Sequence, residues 1–118
     1  MVKELLIVHS DENVSYFIKK ILHNPNYRVT TKTSYDEVKH ILKLQTFDLI
    51  LTDASIRGNF VFKYLEDLKS KTKNTPIIVM SETDQKSITN IVEKIGINEF
   101  VSFPFNPLKV KSLINSYI

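Results

Sequence analysis

The chain has 118 residues, of which 42% are apolar and 25% are charged, and its formal net charge is +3. This length suits a single domain over residues 1–118, and dispersed rather than clustered basic residues argue against nucleic-acid binding. The absence of Cys excludes disulfides, thiolate catalysis and Cys-based zinc sites. No apolar run reaches the roughly 18 residues of a membrane span, and the N-terminus lacks a signal-peptide pattern, so we expect a cytoplasmic protein.

Five short apolar runs recur along the chain and predict five strands. The runs are Leu5–Val8, Tyr27–Thr31, Asp48–Thr52, Pro76–Ser81 and Glu99–Phe103. The first, third and fourth runs are nearly continuous in Leu, Ile and Val, which is typical of parallel strands that are buried on both faces.

A helical pattern follows each of these runs. In the first helical segment, a stripe predicted to be buried consists of Val14, Phe17, Ile18, Ile21 and Leu22. Similar stripes begin at Tyr35, Val61, Ile88 and Val110. Each stripe has the spacing of one helix face and must be buried against a sheet.

Capping residues agree with these helix boundaries. Ser10 or Asp11 is suited to cap the first helix, and Ser34 is suited to cap the second. Gly96 suits a left-handed cap after the fourth helix, and Asn106 precedes a proline at the start of the fifth.

This strict alternation of strand and helix predicts an α/β fold with a parallel sheet. Right-handed crossovers and helices on both faces then favour a flavodoxin-like, doubly wound (βα)5 domain with the five strands in the order 2-1-3-4-5. In such a sheet a site forms at the carboxyl ends of strands 1 and 3, where the winding direction switches. His9 and Ser10 follow the first strand, and Asp53 ends the third.

Three segments carry further motifs in register. Phe47–Asp53 is a strand that ends in an aspartate, with Gly58 five residues later; Thr75–Ser81 is a strand that ends in a hydroxyl; and Phe103–Phe105 reads Phe-Pro-Phe. In order and spacing these segments resemble the phosphoacceptor strand, the switch strand and the Lys-Pro-Phe motif of response-regulator receiver domains. The resemblance covers essentially the whole chain.

The resemblance implies roles for three residues that the chain retains. In the family, an acidic pair and the acceptor aspartate bind Mg²⁺, while a switch hydroxyl and a lysine contact the phosphoryl group. Asp53 stands at the phosphoacceptor position. Ser81 and Phe100 stand at the two switch positions.

The resemblance also implies that the charged parts of the site are missing. His9 and Ser10 stand where the acidic pair belongs, and Phe103 stands where the lysine belongs. Mg²⁺ prefers carboxylate and carbonyl oxygens, so neutral His and Ser are poor substitutes, and Phe103 cannot donate to a phosphoryl oxygen. We therefore expect no metal and no catalytic residues at this site.

Several local alternatives remain open for this site. Asp11 or Glu12 would act as a surrogate acid if the loop were shifted, although a first-turn or capping role is simpler. His9 could instead pair with Asp53 and fill the site from inside. Phe103 could fill the volume of the missing lysine.

We therefore interpret the chain as an atypical, degenerate receiver that is not an enzyme, needs no cofactor and binds other proteins with little or no phosphorylation. The alternative is a phospho-accepting receiver of a phosphorelay, phosphorylated at Asp53 with Mg²⁺ on non-standard ligands. The expected partner is a histidine kinase, an effector or a second copy, and the chain itself is a monomer or weak homodimer. The expected docking face comprises the fourth helix, fifth strand and fifth helix, with Lys86, Asn90, Glu93, Lys94, Phe100, Ser102, Lys109 and Lys111.

Overall fold

The computed structural model describes residues 1–54, 61–81, 86–102 and 106–118, which form alternating strands and helices. The strands are β1 (Lys3–Val8), β2 (Tyr27–Lys32), β3 (Leu49–Asp53), β4 (Ile77–Ser81) and β5 (Glu99–Ser102). The helices are α1 (Glu12–Ile21), α2 (Tyr35–Leu44), α3 (Val61–Thr72), α4 (Lys86–Ile95) and α5 (Pro107–Tyr117).

The strands form one parallel sheet in the order β2-β1-β3-β4-β5. The predicted doubly wound α/β fold and its strand order are therefore confirmed. No helix within the described part of the chain is long and apolar enough to cross a membrane.

Two apolar clusters lie on opposite faces of the sheet. Leu5 and Ile7 of β1 belong to the cluster beneath α1 and α5, whereas Leu6 and Val8 belong to the cluster beneath α2, α3 and α4. These four side chains are almost completely buried. Full burial of such a side chain is worth about 1.5–3 kcal/mol, so continuous apolar runs in the central strands stabilise both layers at once.

Side chains cap the helices largely as predicted. The Asp11 carboxylate, and not Ser10, caps α1 by accepting from the Asn13 amide at 2.9 Å. Ser34 caps α2, and Asn106 caps α5. Each such cap contributes about 1 kcal/mol to the free energy of unfolding.

Phe17 departs from the predicted buried stripe of α1, because its side chain is 47% exposed. Val14 and Ile21 are half-buried, and the buried residues are Ser15 together with the predicted Ile18 and Leu22. These three residues share one narrow face of the helix, and Phe17 is rotated by about 100° from Ile18 around the helix axis. The stripe that contacts the sheet is thus narrower than the sequence pattern suggested.

Candidate functional site

The switch point of the sheet brings together His9 and Asp53. Val8 pairs in register with Thr52, so His9, which directly follows β1, and Asp53, the last residue of β3, lie at the same level. His9 Nε2 lies 3.5 Å from Asp53 Oδ2, and the two side chains are 12% and 22% exposed. The sequence raised this pairing as a hypothesis, and the structure contains the contact.

A second contact orients the His9 ring. The Asp11 backbone N–H donates to His9 Nδ1 at 3.0 Å. A neutral imidazole carries its hydrogen on one nitrogen and accepts on the other, so this bond assigns the hydrogen to Nε2. Nε2–H is the side of the ring that faces Asp53, and His9 is therefore oriented as a hydrogen-bond donor towards the carboxylate.

The other oxygen of Asp53 faces its own backbone. The Ala54 N–H donates to Asp53 Oδ1 at 2.8 Å and to the Met80 carbonyl oxygen at 3.0 Å. Asp53 therefore lies between an imidazole on one oxygen and a backbone amide on the other. Contacts within the chain therefore hold the Asp53 carboxylate at the end of β3.

A buried hydroxyl pair lies directly below the site. Thr52 Oγ1 and Tyr64 Oη are 2.7 Å apart, and Thr52 Oγ1 also donates to the Asp53 carbonyl oxygen at 3.0 Å. Burial raises the pKa of the Tyr64 hydroxyl well above its ordinary value, and the negative charge of Asp53 raises it further, while the hydrogen bond to Thr52 acts in the opposite direction. Tyr64 is therefore a neutral part of the core.

The hydroxyl pair connects to the surface between α2 and α3. The Tyr35 ring meets the Tyr64 ring edge to face, with centroids 5.2 Å apart. The Tyr35 hydroxyl donates to the Asp67 carboxylate, which also lies 3.8 Å from the Lys71 ammonium. The sequence did not predict these contacts. A tyrosine in an apolar helical stripe indicates core packing, but it does not indicate which group its hydroxyl contacts.

The two residues expected at the switch positions, Ser81 and Phe100, lie on β4 and β5. Ser81 ends β4, is buried and pairs in register with Ser102. Phe100 is half-buried and packs against the apolar cluster beneath α2, α3 and α4. Phe103, and with it the geometry of the Phe103–Pro104 bond, lies outside the described residues, as does Gly58.

Ser10, Asp11 and Glu12 line an open cleft beside the start of α1. One oxygen of Asp11 is used by the helix cap, and Glu12 is an exposed residue of the first turn. Among the described residues, no three His, Cys, Asp or Glu side chains form a group that could hold a metal ion.

The sequence matches the response regulator receiver domain family over residues 5–115. The response regulator GtcR of Aneurinibacillus migulanus is 23% identical, with 100% of this chain and 48% of GtcR covered. The two-component response regulator-like PRR1 of Oryza sativa subsp. japonica is 27% identical, with 94% of this chain and 22% of PRR1 covered. The chain thus spans about half, or less, of the length of these relatives.

Solved structures agree with the family match. The chemotaxis response regulator CheY4 of Vibrio cholerae superposes with a TM-score of 0.87 at 18% identity, and the alignment covers 100% of both chains. A CheY-like response regulator receiver domain protein of Methanospirillum hungatei gives a TM-score of 0.90 at 20% identity, covering 98% of this chain and 93% of that one. At such identities the similarity shows the fold, and together with the family match over residues 5–115 it establishes that this chain belongs to the response-regulator receiver domain family.

Proposed function

We propose that this receiver domain acts in two-component signalling as a protein-interaction module, with little or no phosphorylation of Asp53 and no enzymatic reaction of its own. One observation carries the proposal: His9, at a position where receivers have an acid, directs its Nε2–H towards Asp53 from 3.5 Å. The acceptor carboxylate is therefore engaged by the chain itself.

Electrostatics support this proposal. A phosphoryl group that approaches Asp53 brings negative charge towards negative charge, and its transfer depends on positioned cations. The Ser10 side chain is a hydroxyl and carries no charge, and the His9 ring accepts the Asp11 amide hydrogen on Nδ1, so neither side chain supplies the carboxylate that would hold such a cation. Removing one preorganised electrostatic partner costs about 10²–10³ in rate, so loss of the acidic pair is expected to slow transfer severely.

The donor atoms around Asp53 are a poor set for Mg²⁺. Mg²⁺ requires hard oxygen ligands, usually carboxylates. Nδ1 of His9 accepts from the Asp11 amide, and an imidazole nitrogen is not the oxygen ligand that Mg²⁺ prefers. One oxygen of Asp11 is already committed to the α1 cap. We therefore propose that the domain works without a metal cofactor.

The proposed docking face is formed by α4, β5 and α5. Asn90, Glu93 and Lys94 are exposed on α4, and Lys109 and Lys111 are exposed on α5. Leu108 is 73% exposed at the start of α5 and adds an apolar side chain to the exposed residues of that helix. Such a surface suits a histidine kinase, an effector protein or a second copy of the domain.

Beryllofluoride, a mimic of the phosphoryl group, tests the proposal in the presence of Mg²⁺. We expect the amide NMR signals of Asp53, Ala54 and Ser81 to stay unchanged at millimolar Mg²⁺ and excess beryllofluoride. Saturable shifts at these amides, absent from Asp53→Ala, would instead support a phospho-accepting receiver with unusual metal ligands.

A further inference from the structure

The buried hydroxyl pair below the site has a fixed direction of hydrogen bonding. Thr52 Oγ1 lies 2.7 Å from Tyr64 Oη and 3.0 Å from the Asp53 carbonyl oxygen. A carbonyl oxygen only accepts, and a hydroxyl group has a single hydrogen, so Thr52 donates that hydrogen to Asp53. Tyr64 must then be the donor to Thr52. The hydrogen bonds are therefore directed from Tyr64 through Thr52 to the backbone of Asp53.

The carbonyl group that accepts from Thr52 belongs to the same peptide unit as the amide that contacts the Asp53 side chain. The N–H of this unit, from Ala54, donates to the Met80 carbonyl oxygen at 3.0 Å and to Asp53 Oδ1 at 2.8 Å. Because a peptide unit is planar, its C=O and N–H groups turn together. A bond that fixes the carbonyl oxygen therefore also fixes the amide that holds Oδ1, and Oδ2 lies 3.5 Å from His9 Nε2.

Thr52 interrupts the apolar run of β3. The three residues before it, Leu49, Ile50 and Leu51, are apolar, and all four side chains are almost completely buried. Valine has nearly the shape of threonine and would fill this position without a hydroxyl to satisfy. Burying a polar group is unfavourable unless the group is hydrogen-bonded. Packing alone therefore does not account for a threonine at this position, whereas its hydrogen bonds to Tyr64 and to Asp53 do.

Tyr64 holds the other end of this chain of hydrogen bonds in place. Its side chain comes from α3, and its ring packs edge to face against Tyr35 of α2, with centroids 5.2 Å apart. Tyr64 and Thr52 are both almost completely buried, so the two hydroxyls are shielded from water. Hydrogen bonds are stronger in such surroundings than in water. The packing of α2 and α3 against the sheet thus fixes the donor on which the Thr52 hydroxyl depends.

We propose that Thr52 and Tyr64 are positioning residues for the Asp53 carboxylate. They act through the backbone: together they fix the peptide unit between Asp53 and Ala54, which holds Oδ1 and keeps Oδ2 directed at His9. This role rests on the proposed function, because it accounts for how the chain keeps Asp53 engaged with its own His9. A hydroxyl pair that only stabilises the core would have no effect on the Asp53 side chain.

The χ1 rotamer of Asp53 tests the proposal, because a purely structural role of the hydroxyls would not change it. Three-bond NMR couplings from the Asp53 carboxyl carbon to its backbone ¹⁵N and carbonyl ¹³C measure the rotamer at one fixed pH. In the wild-type chain we expect the couplings of a single rotamer. Thr52→Val and Tyr64→Phe should each shift them towards an average over several rotamers, whereas Thr52→Ser retains the hydroxyl and should keep the wild-type values. Wild-type couplings in Thr52→Val or in Tyr64→Phe would overturn the proposal.

Two further variants separate positioning from stability. Tyr35→Phe is the matched control, because it removes the neighbouring tyrosine hydroxyl, which bonds Asp67, and should leave the Asp53 couplings unchanged. The double variant Thr52→Val with Tyr64→Phe replaces both hydroxyl partners by apolar groups of similar shape, a change that is nearly neutral for stability. It should therefore fold and still lose the single rotamer.

Two results from these variants would contradict the proposal. One is a shift of the Asp53 couplings in Tyr35→Phe as large as that in Tyr64→Phe. The other is a folded double variant that keeps the wild-type couplings. All couplings are measured without Mg²⁺ or beryllofluoride, so their result is independent of the beryllofluoride test, and the positioning role and the proposed function can fail separately.

Discussion

The Asp11 amide donates to His9 Nδ1 at 3.0 Å, and this hydrogen bond determines which edge of the imidazole faces Asp53. The donor belongs to the residue that caps α1, so the start of the helix and the orientation of His9 depend on each other. The bond leaves Nε2 as the edge of the ring that faces Asp53, 3.5 Å from Asp53 Oδ2.

The first prediction concerns the tautomer of His9. We expect long-range ¹H–¹⁵N spectra near pH 8 to show the hydrogen of neutral His9 on Nε2, because the Asp11 amide occupies Nδ1. His23 and His40 are exposed on the surface and serve as references in the same spectrum. A hydrogen on Nδ1 of His9 would contradict the proposed orientation.

The second prediction concerns the hydroxyl pair below the site. Tyr64→Phe should lower the free energy of unfolding by about 1–3 kcal/mol, because it leaves the buried Thr52 hydroxyl without its partner at 2.7 Å. Urea denaturation measures the change. Tyr16→Phe is the matched control, since Tyr16 is 62% exposed and its loss of a hydroxyl should change stability by less than about 0.5 kcal/mol. Equal effects of the two substitutions would show that the hydroxyl pair does not stabilise the site.

The third prediction concerns pH. The hydrogen bond from Tyr35 holds the pKa of the Asp67 carboxyl below its ordinary value, and Lys71 adds to this effect. A depressed folded-state pKa stabilises the fold above the unfolded pKa of about 3.9, and this contribution is lost as the pH falls through the lower folded-state pKa. Tyr35→Phe should therefore raise the pKa of Asp67 and reduce the loss of stability between about pH 4 and pH 2.

Carboxyl ¹³C titration measures the Asp67 pKa directly in the wild-type chain and in Tyr35→Phe. Glu37 provides an internal reference, because its own lowered pKa arises mainly from hydrogen bonds to Thr33, which the substitution does not touch. An Asp67 pKa that is identical in both chains would rule out this coupling between α2 and α3.

The fold was predictable because the apolar runs of β1, β3 and β4 are continuous, so few other arrangements could bury them. The position of the site followed from topology, which brings the ends of β1 and β3 together and thus pairs His9 with Asp53. The network through Tyr64 and Tyr35 was not predictable, because their hydroxyl partners depend on how α2 and α3 pack against the sheet. The exposure of Phe17 was missed for the same reason, since an apolar stripe does not define how far a helix is rotated.

A prediction about gain of function tests the assignment of the missing residues. Replacing His9 and Ser10 by aspartate and Phe103 by lysine should begin to restore Mg²⁺ binding, because it returns the hard oxygen ligands and the cation that the family uses. Isothermal titration with Mg²⁺ measures the effect against the wild-type chain. A folded triple variant that does not bind Mg²⁺ at millimolar concentration would show that these three residues are wrongly matched to the acidic pair and the lysine of the family.

The most direct test of the central claim is the intact mass of the chain after incubation with Mg²⁺ and a small acyl phosphate donor. The wild-type chain is expected to keep its mass, because His9 engages Asp53 and no acidic pair is present to bring a metal. The His9, Ser10 and Phe103 triple variant should gain one phosphoryl group, and its Asp53→Ala derivative should not. Rapid and stoichiometric addition of one phosphoryl group to the wild-type chain, abolished by Asp53→Ala, would contradict the account.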